Sequence, residues 1–198
     1  PVRANAQRMQ RLRAHYGVTG KAPEGSRPLL ILLCGLPGTG KSYLAEEIQR
    51  LFPMVVLRSD EIRKILFPHP RYTSDESGVV YLTSYELISA LLVDGFPVIF
   101  DATNLTRSGR RRAARLADQL GVPRLLLLTV APPEVVAERM WQRAAGVTAA
   151  YHSDANWQVH EKLAGTMEAV TEKEAAIVVD TSVSLAPALD AVTRLMAP

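Results

Sequence analysis

The chain alternates between short runs that are almost wholly apolar and longer stretches in which apolar positions recur every three or four residues. Five runs stand out, at 29–34 (LLILLC), 54–57 (MVVL), 97–100 (PVIF), 124–130 (RLLLLTV) and 176–179 (AIVV). Runs this short are strand length. Their lack of polar alternation means that both faces are covered, as in a parallel sheet. Helical stretches separate them, at 42–51, 60–66, from a cap at Ser74 or Asp75 to Gly95, and from Thr106 to Gly121. A further helix is opened by Pro132 and Pro133, because proline suits a first helical turn. Another is capped by Ser153 or Asp154 and runs to about Val170, and 187–196 closes the chain. Five apolar strands separated by helices predict an α/β fold with helices on both faces of the sheet. Ahead of this pattern, residues 2–16 read as an amphipathic helix with Met9, Leu12 and Tyr16 on one stripe, and Gly17, Gly20, Pro23, Gly25 and Pro28 read as a linker. The expected organisation is a basic helical arm and linker over 1–28 and one domain over 29–198.

The strongest chemical signal follows the first apolar run. Gly35-Leu36-Pro37-Gly38-Thr39-Gly40-Lys41-Ser42 satisfies G-x-x-x-x-G-K-[ST] in full, with Tyr43 next in the helix. Glycines let successive backbone N–H groups curl around one oxyanion, and the following helix adds the positive end of its dipole. Lys41 is placed to reach the β- and γ-phosphates of ATP, and the Ser42 hydroxyl to ligate Mg²⁺. A strand before the loop and a helix after it is the context this motif requires.

Three further segments bear on what such a loop does, because ligands of parallel sheets gather at the carboxyl ends of the strands. Past the second run lie Asp60 and Arg63, which share a helix face. Asp60 is a candidate general base for an acceptor hydroxyl, and Arg63 a candidate holder of an anionic part of that acceptor. Past the third run lie Asp101, a candidate for organising the water shell of Mg²⁺, then Asn104 and Arg107, candidates for acceptor binding. The other arginines of that helix, Arg110, Arg111, Arg112 and Arg115, read as a solvated face. Past the fourth run, Arg139 and Arg143 are four apart and project from one helix face, as a cationic clamp on the transferred phosphate would. Gly146 and residues 147–150 would form a lid.

Composition adds boundaries. The 198 residues are 47% hydrophobic and 22% charged, which excludes a disordered tail or a fibrous chain. Cys34 is the single cysteine, so no internal disulfide forms. No apolar run approaches a membrane span, and no secretory pattern is present, so a cytoplasmic protein is expected. The histidines lack metal-ligand spacing, and Trp141 and Trp157 read as packing residues. Residues 1–30 hold six Lys or Arg against one acid, whereas the remainder holds 17 basic and 19 acidic residues. The main body therefore lacks the strong positive field expected of a nucleic-acid binder.

Taken in order, Gly35–Ser42, Asp60/Arg63, Asp101–Asn104 and Arg139/Arg143 resemble the polynucleotide-kinase-like branch of P-loop kinases, including its AAA-type kinase domains, over most of residues 29–180. The stretch Ser153–Trp157 is also similar to one common in these kinases. The resemblance implies a P-loop NTPase three-layer sandwich with a five-stranded parallel sheet, strand order 2-3-1-4-5, and a helical lid. It implies ATP and Mg²⁺ as cofactors, Asp60 as base, Arg63 on an acceptor phosphate and a lid arginine on the γ-phosphate. The expected activity is ATP-dependent transfer of a phosphoryl group to a hydroxyl of a small molecule. The alternatives are a 5′-hydroxyl polynucleotide kinase acting on single-stranded nucleic acid, and a non-catalytic nucleotide-binding regulatory module.

Overall fold

A computed structural model describes residues 2–145 and 156–197. The order is α1 (Val2–His15), β1 (Leu30–Cys34), α2 (Lys41–Leu51), β2 (Val55–Arg58), α3 (Ser59–Leu66), α4 (Ser74–Val93), β3 (Val98–Asp101), α5 (Arg107–Gln119), β4 (Arg124–Val130), α6 (Pro133–Ala144), α7 (Trp157–Ala164), β5 (Ile177–Asp180) and α8 (Ala186–Met196). The five strands form one parallel sheet in the order β2-β3-β1-β4-β5. This is the order implied by the sequence resemblance, and the fold is that of P-loop kinases. No helix among the described residues is long and apolar enough to cross a membrane.

The apolar runs are explained by where each strand sits. The central strand β1 is buried along its length. Its side chains divide with period two, as a pleat requires. Leu30, Leu32 and Cys34 enter one core with α1, α4 and α5, and Ile31 and Leu33 enter a second core with α2 and α8. β3 does the same with Val98 and Phe100 on one side and Ile99 on the other. Register sets the site: Arg58 pairs with Asp101 and Val130 with Asp180, so the polar ends of these strands line up along one edge.

Two helix starts differ from expectation. Thr73, rather than Ser74 or Asp75, caps α4, its hydroxyl accepting from the Glu76 amide. Asn156 caps α7, which ends at Ala164 well short of Val170. The proposed caps Ser153 and Asp154 and the lid residues 146–150 lie outside the described residues. Residues 165–176 return across the face of α5, where the Glu168 amide donates to the Leu105 carbonyl.

That return is organised by Arg110. Far from being part of a solvated face, Arg110 is buried, and its guanidinium donates to the carbonyls of Asn104, Leu105, Glu168 and Ala169 and to both carboxylate oxygens of Glu174. The Arg110 hydrogen bond is the main reason the Glu174 carboxyl is pushed down from 4.5 to about 2. A carboxylate whose pKa falls on folding contributes stability that is complete above its unfolded value and is lost as pH drops through the folded one. Wild-type protein should therefore melt above Glu174→Gln at neutral pH. The gap should close as the pH is taken from 4.5 toward 2, and a gap that ignored pH over that range would contradict the assignment.

Candidate active site

The Gly35–Ser42 loop leaves the end of β1 under tight steric control. A Cβ on Gly35 (φ 149°) would stand 2.5 Å from Thr129 Oγ1 and 2.7 Å from the Thr129 carbonyl, and one on Gly40 (φ 90°) would stand 2.6 Å from Thr181 Oγ1. Only glycine tolerates both the backbone conformation and the approach. Threonines from β4 and the end of β5 thus brace the loop. Thr129 Oγ1 lies 2.7 Å from Thr39 Oγ1, and the Thr181 hydroxyl donates to the Thr39 carbonyl at 2.7 Å.

Lys41, the first residue of α2, is buried and donates to the Leu36 carbonyl at 2.9 Å, bridging the loop. Burial holds its ammonium below the ordinary lysine range, opposed by the carboxylates of Asp101 and Asp60 and reinforced by Arg143. A cation kept short of counter-charge in this way has much to gain from a polyphosphate. The Ser42 hydroxyl donates to Asp101 Oδ2 at 2.8 Å. Two hard oxygen donors side by side at the mouth of a phosphate loop fit Mg²⁺, which takes few protein ligands and keeps several waters. Arg58, at the end of β2, lies 3.9 Å from Asp101 and 3.6 Å from Glu61, tying the second strand end to the third.

These groups open on one cleft of about 650 Å³, whose lining includes Lys41, Ser42, Asp60, Arg63, Asp101, Arg139 and Arg143. Three strand ends and the covering helix α6 therefore deliver their polar residues to the same space. Asp60 occupies the second position of α3, whose first residue is Ser59, so it is not the helix cap. Both arginines of α6 line the cleft. Arg139 donates to the hydroxyl and carbonyl of Thr181 (2.8 and 3.1 Å) and, at 3.4 Å, to the Gly38 carbonyl. It fastens α6 to the loop, while Val136 and Met140 of the same helix pack over Gly38.

The AAA domain family (AAA_33) matches residues 30–170, the span that carries the loop, both carboxylates and α6. The chain belongs to this family. No curated protein matches the chain. Solved structures similar to this AAA domain include a gluconokinase from Sinorhizobium meliloti, with 21% identity, TM-score 0.61, and coverage of 87% of this chain and 93% of the other. The APS kinase CysC of Mycobacterium tuberculosis, solved with AMPPNP and APS, has 15% identity, TM-score 0.65, and coverage of 87% and 99%. Kti12 of Chaetomium thermophilum, solved with ADP-AlF3, has 16% identity, TM-score 0.67, and coverage of 85% and 100%. At these identities the likeness is one of fold.

Two residues expected in the acceptor site of the AAA domain lie elsewhere. Asn104 is buried in a left-handed conformation (φ 47°), and its Nδ2 donates to the Leu33 carbonyl at 2.6 Å. Its amide satisfies the end of β1 where the chain turns out of β3, and it does not line the cleft. Arg107 begins α5, and its backbone amide donates to the Glu168 carboxylate, away from the cleft. The tryptophans are not core residues. Trp141 is exposed, and Trp157 stacks on His160 with 5.1 Å between ring centroids. No sequence pattern marks His160, whose Nδ1 lies 2.8 Å from the Pro37 carbonyl. That oxygen only accepts, so Nδ1 carries the proton and α7 leans on the loop. Val159, Lys162 and Leu163 of α7 complete the wall.

Proposed function

We propose that the protein moves the γ-phosphate of ATP to a hydroxyl of a small-molecule acceptor. The observation that carries this reading is the Asp60 carboxylate in the same cleft as Lys41, Ser42 and Asp101. A nucleotide switch has no use for a second carboxylate there. In the transfer the acceptor oxygen bonds to the γ-phosphorus, the bond from that phosphorus to the β,γ-bridging oxygen breaks, ADP leaves, and the acceptor proton passes to Asp60. Lys41 and the loop amides hold the β- and γ-phosphates. Ser42 and Asp101 would hold Mg²⁺, which supplies charge neutralisation across the phosphates when bound.

Asp60/Arg63, Asp101 and Arg139/Arg143 around one phosphate loop also support a place in the polynucleotide-kinase-like branch. The neighbouring gluconokinase and APS kinase structures support an acceptor of small size. Transfer of label from γ-labelled ATP to a panel of sugars, nucleosides, aminoglycosides and 5′-hydroxyl oligonucleotides tests the reading. Label should appear on a small hydroxyl compound, and label on the oligonucleotides alone would move the function to a polynucleotide kinase.

The division of labour within α6 yields a separate expectation. Arg139 braces the loop through Thr181 and Gly38, and Arg143, one turn further along the helix, lines the cleft and is assigned to the transferring phosphoryl group. Arg143→Ala should lower kcat by about 10³ or more and change the KM for ATP little, the pattern of a contact made in the transition state. Arg139→Ala should act through the loop and raise the KM for ATP. Steady-state kinetics of the two variants would reject the assignment if their patterns were exchanged.

A further inference from the structure

The acceptor chemistry can be narrowed if the phosphotransfer reading, on which this inference rests, is correct. Arg63 lies one turn beyond Asp60 on α3 and lines the cleft. The sequence resemblance implies that it grips a phosphate on the acceptor, but its surroundings point to another partner. Nη1 is 3.6 Å from Glu76 Oε2, Nη2 donates to Ser77 Oγ at 3.1 Å, and the guanidinium lies 5.0 Å from the centre of the Tyr72 ring.

Glu76 is anchored independently. Buried at the start of α4, it accepts from the Arg71 amide at 2.9 Å and the Tyr72 amide at 2.7 Å. These bonds hold Tyr72 at φ 54°, a conformation that a bulky residue adopts only when its neighbours impose it. The carboxylate that balances Arg63 therefore cannot swing aside cheaply.

Arg63 nevertheless has unused capacity. Its Nε and Nη1 are buried without a hydrogen-bond partner. Arg63 thus meets the cleft with its charge already balanced by Glu76. An anion brought to Arg63 would meet a guanidinium already paired with Glu76 and feel that carboxylate behind it, whereas a neutral oxygen would meet no such repulsion. Tyr72, half exposed on the cleft wall, adds a flat surface for a ring.

We infer that the acceptor is an uncharged, sugar-like polyol that places an oxygen on Arg63 and its ring against Tyr72, and that Glu76 is the residue that rejects phosphorylated acceptors.

Calorimetric titration of inorganic phosphate tests this with the phosphate loop already filled by Mg²⁺ and AMPPNP. Wild type and Arg63→Gln should both show no saturable phosphate binding. Glu76→Gln should gain affinity by at least about tenfold, and the gain should vanish in Glu76→Gln combined with Arg63→Gln. Phosphate bound by wild type and lost in Arg63→Gln overturns the inference, as does a folded Glu76→Gln protein that gains nothing. Should Glu76→Gln not fold, the ranking of acceptors in the label-transfer panel decides. In the label-transfer panel, uncharged sugars should be better acceptors than their phosphate monoesters, and the reverse order overturns the inference. A failure of AMPPNP to raise the melting temperature would instead remove the phosphotransfer reading itself.

Discussion

Lys41→Ala is expected to reduce phosphotransfer by at least about 10²–10³ in kcat/KM, the usual consequence of removing a preorganised cation from a site of developing charge. The effect should be large because Lys41 is buried, with its ammonium disfavoured by desolvation and only partly compensated by Asp101 and Asp60. Triphosphate oxygens supply what it lacks, so nucleotide binding and catalysis both draw on it. The rise in melting temperature on adding Mg²⁺ and ATP should shrink in this variant, while the far-ultraviolet circular dichroism stays that of the wild type. Full turnover by Lys41→Ala would refute the assignment of the loop as the reacting site.

Asp60→Asn carries the second large effect. The amide keeps the shape of the carboxylate and loses its ability to take a proton. Turnover should fall by about 10²–10⁴ in kcat with little change in the KM for ATP, because the contact with the acceptor proton matters in the transition state. Unchanged ATP-dependent activity in this variant would favour a regulatory nucleotide-binding module, or an ATPase that needs no acceptor.

The sequence showed the sheet well because a parallel strand covered on both faces has no room for polar residues. β1 and β4 are read within one residue for that reason. The phosphate loop was equally plain, since glycine at 35 and 40 answers a steric demand that no other residue meets. What sequence alone missed were polar residues turned inward. Arg110 lies among four other arginines, and composition suggested solvent. Its spacing to Ala113 and Ala117, both buried on the same helix stripe, was the available signal. Asn104 followed a strand end, where a ligand and a backbone rivet look identical until the tertiary fold shows which carbonyl needs a donor. His160 and Glu76 are long-range or loop-specific choices. Their partners, the Pro37 carbonyl and the Arg71 and Tyr72 amides, exist only once the chain has folded.

The amino-terminal helix has a practical bearing on how this protein is handled. Leu12 is fully buried in the core with α4, Arg13 pairs with Asp94 at 2.7 Å, and the Tyr16 hydroxyl lies 3.4–3.5 Å from the amide and carbonyl of Arg58. A chain shortened to start at the first strand would therefore surrender a wall of its interior. It would also loosen the junction of β2 and α3 that carries Asp60. Weak turnover in such a trimmed preparation would report a loosened scaffold rather than an absent chemistry.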